Sequence, residues 1–175
     1  MNSSLFNTQS TFLLVLVILL LSACVPIAPV AVSGPTNGEQ PAEAIVLDPA
    51  VIETTSRAFF STMLAGDMDG WLATLAADAV SYEPVGSPPN VGHEGLLAWA
   101  GSMSGFDSVN IELHDLFVAG NSAAITWTST FILPGGEAIA INGVDVHEYN
   151  SAGTIQTVKG YFDPMPLMAA MSPKE

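Results

Sequence analysis

Two carboxylates in unlike settings are the residues of this chain best suited to moving a proton. Glu83 ends a short apolar run, Ala79-Val80-Ser81-Tyr82, and stands directly before Pro84. A residue before proline is pushed out of helical geometry toward extended backbone, so Glu83 is expected at a strand end, ahead of the restricted loop Val85-Gly86-Ser87-Pro88-Pro89. Asp145 lies in Gly143-Val144-Asp145-Val146, an apolar setting. An ionised carboxylate is a general base, and a carboxyl group kept neutral by apolar surroundings is a hydrogen-bond donor. The blander role for Asp145 is a strand aspartate bonded to a neighbouring turn.

Other chemistries find little support. No metal-ligand cluster, nucleotide loop or Ser-His-Asp arrangement stands out, and His93, His114 and His147 are scattered, so neither metal nor cofactor is expected. His93, at the start of a predicted helix, reads as neutral and exposed, and His114 as solvated. His147 shares strand parity with Asp145 two residues away, about 7 Å along the strand, within a side chain's reach.

The elements that must position these groups follow from periodicity. Asp48-Pro49 predicts a helix start, and Ile52, Phe59 and Met63 fall on one stripe of that helix, with Thr55 and Phe60 beside it. Gly66 stops it and Asp67 caps a second helix, expected to carry Trp71, Leu72, Leu75 and Ala76 on one face. A third helix is expected from Glu94 to about Met103, with Leu96, Leu97, Trp99, Ala100 and Met103 apolar. Four strand-like runs follow. Val109, Ile111 and Leu113 alternate with polar residues in the first; the second, Ala123 to Leu133, sets Ile125, Trp127, Phe131 and Leu133 against three threonines. Pro134-Gly135-Gly136 turns into the third, Glu137 to Tyr149, and Asn150 to Gly153 into the fourth, Thr154 to Asp163. Both faces of the third run are apolar, so alternation leaves open which side is inward; Gly143 is expected to mark a bulge. Helices followed by long antiparallel strands predict an α+β fold: a cone-shaped, curved, mostly antiparallel sheet wrapped by three helices.

Of 175 residues, 17 are acidic and three basic (Arg57, Lys159 and Lys174), a formal charge of −14. No basic patch can be assembled, which excludes nucleic acid as a partner. Leu13 to Leu21 is an unbroken Leu/Val/Ile run, short of the ~20 residues of a spanning helix. It leads into Leu21-Ser22-Ala23-Cys24, which resembles a bacterial lipobox, although Met1 to Thr11 holds no Lys or Arg. The expected organisation is a lipoprotein signal peptide at 1–23, lipidation at Cys24 (the single cysteine), a Pro/Ala/Gly-rich linker over 24–47, a domain over 48–164 and a tail over 165–175. That places the protein outside the cytoplasm, lipid-anchored to the extracytoplasmic face of a bacterial membrane; an uncleaved anchor would give the same topology.

Gly66-Asp67-Met68-Asp69-Gly70, Ala77-Asp78-Ala79, Glu83 to Pro89, Val144-Asp145-Val146, Gly153 to Thr157 and Tyr161-Phe162 together resemble the bacterial ketosteroid isomerases. These belong to the wider SnoaL-like, or nuclear-transport-factor-2-like, superfamily. The resemblance spans about Ile52 to Asp163. It implies Glu83 as general base, where the isomerases have aspartate, and Asp145 as the protonated oxyanion donor, the arrangement that is the standing example of a carboxyl group held neutral by its site. It implies a pocket, for which Phe59, Met63, Trp99, Trp127, Phe131 and His147 are the candidate walls, and a homodimer through the sheet. The family's tyrosines would fall at Phe59, Leu75 and Ala100, so its phenolic donors are missing here; His147 is the candidate replacement.

Three functions follow as expectations. The first is an isomerase-like enzyme, or a cyclase working through the same enolate, acting on a small apolar steroid- or polyketide-like ketone. The second is a lipoprotein that binds an apolar ligand without turnover. The third is a sheet-face interaction module, for which Trp127 would be the exposed residue.

Overall fold

The computed structural model describes residues 45–171, and the expectations for residues 1–44 and 172–175 lie outside them. Helix α1 (Pro49–Leu64) opens with the Asp48 side chain accepting from the Ala50 N–H at 2.9 Å and with proline in its first turn. It buries Ile52, Ser56, Phe59 and Phe60, spaced to share one face. Gly66, at φ 71°, turns the chain out of α1, and Asp67 caps α2 (Met68–Ala73) by accepting from the Gly70 N–H at 2.9 Å.

Here the structure departs from the periodicity. Leu75 and Ala76, expected on the face of the second helix, belong to strand β1 (Leu75–Tyr82). Their i+4 and i+5 spacing from Trp71 is compatible with a helix, but the backbone at this point pairs with a distant strand: Leu75 stands opposite Ile155, and the Ile155 N–H donates to the Thr74 carbonyl. Tertiary pairing overrides local pattern. After the Pro/Gly loop come the short β2 (Asn90–Val91), α3 (Gly92–Gly101) and a 3₁₀ turn over Ser102–Gly105.

The long strands are β3 (Ser108–Ala119), β4 (Ser122–Ile132), β5 (Ala138–Tyr149) and β6 (Ile155–Phe162). They build a curved, unclosed six-stranded sheet in the order β2-β1-β6-β5-β4-β3, antiparallel except for the β1–β6 pair, so the fold is α+β as expected. Asp145, His147 and Tyr149 are buried, which settles the inward face of β5. The β4–β5 register runs unbroken through Gly143, so no bulge lies there; the breaks fall at Leu75/Val80, Leu113/Leu116 and Glu148/Tyr149. Beyond Pro164, where a tail was expected, Met165–Met171 form a fourth helix, α4. Packed between helices and sheet are Ile52, Phe59, Trp71, Leu96, Ile125, Ile155 and Val158. The Tyr149 hydroxyl is tied into this core by Ser56 at 2.5 Å and the Ile52 carbonyl at 3.2 Å.

Candidate active site

The site is built around two glycines that leave room for the side chains of others. On β6, Gly160 pairs with Asp145 of β5, and a β-carbon at position 160 would stand 2.1 Å from Oε2 of Glu83. The Glu83 carboxyl therefore occupies the place of a residue-160 side chain. Directly opposed positions of this kind have β-carbons about 5 Å apart, so the two carboxyl groups are cross-strand neighbours. β1 ends at Tyr82, and the loop is held against β6 by the Val85 N–H, which donates to the Gly160 carbonyl at 2.7 Å; the Glu83–Pro84 peptide is cis.

On β5, Gly143 pairs with Trp127 of β4, and a β-carbon there would stand 2.3 Å from the indole ring. The ring lies across the glycine and donates its Nε1–H to Asp145 Oδ1 at 2.9 Å. Asp145 is 4% exposed. An indole N–H can only donate, so Oδ1 is an acceptor and the proton of a neutral Asp145 belongs on Oδ2. Glu83 is held well above the ordinary carboxylate range, first by burial and then by the charge of Asp145.

Both carboxyl groups line a cavity of about 310 Å³. Phe59, Phe60 and Met63 of α1, Trp99 of α3 and the following Ser102 and Met103 form the helical side. The sheet side carries Val109, Ile111, Trp127, Ser129, Phe131, Ile141 and Phe162, and Pro84, Pro164 and Leu167 complete the wall. Phe59, Met63, Trp99, Trp127 and Phe131 thus stand together around Glu83 and Asp145. Trp127 is buried, which removes it as the centre of an exposed sheet patch.

His147 is placed differently. It is fully buried behind the cavity wall, with its ring 4.9 Å from Phe59 and 5.8 Å from Phe60, and does not line the cavity. Its Nε2 is 3.8 Å from Asp145 Oδ2, too long for a hydrogen bond, and both ring nitrogens are without partners. The same-face reach inferred from strand spacing brings the ring toward Asp145, but Phe59 and Phe60 pack on it, so His147 is not the pocket wall it was expected to be. No tyrosine lines the cavity: Phe59 stands on the wall, Leu75 is buried in β1, and Tyr149 bonds into the core. His93, expected exposed, is half-buried with Nε2 enclosed, whereas His114 is exposed and bonds Thr128 at 2.8 Å. Among the described residues no group of three or more His, Cys, Asp or Glu is placed to hold a metal ion.

Sequence reasoning missed the donor role of Trp127, both glycine vacancies, and Ser129, Phe60 and Leu167 on the wall. Ser129 carried a signal, since it shares inward parity with Trp127 and Phe131 on β4. Leu167 carried none, lying past the expected domain end.

Residues 56–157 match the SnoaL-like domain, more than half of the sequence. The chain belongs to the SnoaL-like family. Solved structures share its fold. An NTF2-like protein of unknown function from Burkholderia pseudomallei aligns at TM-score 0.63 and 18% identity, over 70% of this chain and 98% of its own. The Δ5-3-ketosteroid isomerase of a Mycobacterium species aligns at TM-score 0.60 and 22% identity, over 66% and 95%. A Mycobacterium tuberculosis protein solved in complex with estradiol-17β-hemisuccinate aligns at TM-score 0.59 and 22% identity, over 65% and 94%. These likenesses show the fold; chemistry has to be argued from the site.

Proposed function

We propose that this SnoaL-like domain binds a small apolar ketone and moves a proton between two of its carbons, as a ketosteroid-isomerase-like enzyme. Glu83 takes a proton from the carbon beside the carbonyl, and the C–H electrons pass into an enolate. The same carboxyl then returns the proton to the far end of the conjugated system, leaving the double bond transposed. The two carboxyl groups share one proton; with it on Oδ2, Asp145 donates to the enolate oxygen while Trp127 holds Oδ1, and Glu83 is the ionised partner that acts as base. The observation that carries this reading is the Glu83 carboxyl standing in the place of a residue-160 side chain, across from Asp145, at the wall of an apolar cavity. A carboxylate whose proton affinity is raised by burial is also a stronger base. Deuterium exchange at the α-carbon of an apolar cyclic ketone in heavy water, followed by NMR, tests it. Exchange that depends on Glu83 supports the enzyme; none at any ketone that binds rejects it.

A second reading, a ligand-binding lipoprotein without turnover, is favoured by the absence of tyrosine from the cavity wall, since a lost preorganised donor costs about 10²–10³ in rate. In that case Glu83→Gln leaves ketone affinity intact and no exchange occurs in either protein.

Export and anchoring belong to the same proposal: the protein sits on the extracytoplasmic face of a bacterial membrane through lipidated Cys24. What supports this is the run Leu13 to Leu21 followed by Leu21-Ser22-Ala23-Cys24. Incorporation of labelled palmitate that disappears in Cys24→Ser is the check. A homodimer through the outer sheet face, where Phe117 and Tyr161 are exposed, completes the proposal and is read by sedimentation.

A further inference from the structure

The cavity holds one polar group that the proton-transfer chemistry leaves unused. Ser129 lines it from β4, on the inward face between Trp127 and Phe131, and is 3% exposed. Its hydroxyl has no hydrogen-bond partner among the described residues. The other wall hydroxyl, Ser102, is already committed, donating to the Trp99 carbonyl at 2.6 Å. A buried hydroxyl left unpaired weakens the fold, so an apolar residue of similar size would serve a purely structural position better.

The sheet register says how far this group stands from the carboxyl pair. Asp145 is opposite Ile125, whereas Ser129 is opposite Ile141, four positions further along β4. At a strand rise of about 3.3 Å per residue, the two levels are ~13 Å apart, with the Trp127 indole between them. The wall around Ser129 is otherwise apolar, with Ile111, Phe131 and Ile141 beside it.

From this we infer that Ser129 is a specificity-determining residue: the preferred ligand is an elongated apolar molecule with an oxygen function at each end. The carbonyl oxygen meets Asp145, and a hydroxyl or second carbonyl at the far end of the skeleton meets the Ser129 hydroxyl, which donates or accepts as that group requires. The inference rests on the apolar-ketone reading above and sharpens it to a bifunctional ligand. A pocket that must pair its own buried hydroxyl discriminates against an analogue that lacks the matching group.

The test is a thermodynamic cycle on the full chain with two probes, 17β-hydroxy-5α-androstan-3-one and 5α-androstan-3-one, which differ only in the distal hydroxyl. Dissociation constants are measured by calorimetry for wild type, Ser129→Ala and Ser129→Val, together with ligand-free melting temperatures. The expected result is a loss of about 3–10-fold for the hydroxylated probe in both variants, and less than about 2-fold for the other. The ligand-free melting temperature of Ser129→Ala should be unchanged or raised, which a structural serine would not give. Equal losses for the two probes, or no loss for either, overturn the role of Ser129 and leave ketone binding standing. If wild type binds neither probe, the ketone-ligand reading falls, and this inference with it.

Discussion

The carboxyl group of Glu83 rests against the bare α-carbon of Gly160, where a β-carbon would come within 2.1 Å of Oε2. Gly160 is paired with Asp145, so this one vacancy sets the two carboxyl groups side by side. Substitution at 160 should therefore act on Glu83 rather than on the fold. Because the clashing atom is the end of a flexible side chain, Gly160→Ala should fold and displace the Glu83 carboxyl. Proton transfer should drop by 10²-fold or more, in keeping with the cost of ~1 Å misplacement of a reacting group. Circular dichroism and a crystal structure of the variant check the fold and the displacement; full activity in Gly160→Ala would contradict this placement.

The Trp127–Asp145 hydrogen bond depends on the other vacancy. Gly143→Ala puts a β-carbon into a rigid indole rather than a flexible carboxyl tip. It should cost about 1–3 kcal/mol of stability through overpacking and also break the 2.9 Å bond. Trp127→Phe removes the donor together with part of the ring, so it should cost stability through the space it leaves rather than through overpacking, and lower turnover as well. Chemical denaturation of the two variants, read beside their rates, separates these effects.

Glu83 gives the fold a pH dependence of its own. Its proton affinity is higher in the folded protein than in the unfolded chain, because burial and then Asp145 disfavour its charge. Below the ordinary carboxylate range both states hold the proton and the contribution is complete. As pH rises from that range through the raised folded value, the folded state holds more protons than the unfolded one, and stability falls. Glu83→Gln should flatten that fall. Its melting temperature should match wild type near pH 4 and exceed it near pH 8. Identical slopes in the two proteins would show that Glu83 ionises freely.

Tyr149 is a structural phenol, away from the cavity. Its hydroxyl bonds Ser56 and the Ile52 carbonyl, and burial pushes its pKa up to about 12, against the opposing effect of the Ser56 bond. Tyr149→Phe leaves the buried Ser56 hydroxyl without this partner and should destabilise the domain by about 1–3 kcal/mol, with ketone affinity unchanged. Urea denaturation and a binding titration measure the two separately.

Much of this site was legible because single residue types carried it. Glu83 before Pro84 and Asp145 between valines are unusual enough to be noticed without a fold, and the inward parity of Trp127 and Phe131 places them on one wall. What stayed hidden depends on which strands lie side by side. That Gly160 faces Asp145, or that Gly143 lies under Trp127, follows from register, and a glycine in a strand reads equally as a bulge. Leu75 failed for the same reason: its helical spacing was real, but its backbone partner, Ile155, lies eighty residues away. His147 shows the limit of parity, which gives a face but not what stands in front of it.

Glu83 acting as a base beside Asp145 on an apolar ketone has a direct readout. The most direct measurement is steroid Δ5-to-Δ4 isomerisation, followed by ultraviolet absorbance of the conjugated ketone, with the purified protein run beside Glu83→Gln and Asp145→Asn. Turnover is expected in wild type, with its disappearance in Glu83→Gln and a reduced rate in Asp145→Asn. No turnover, with apolar ketones bound equally by wild type and Glu83→Gln, would contradict it and leave a binding protein in its place.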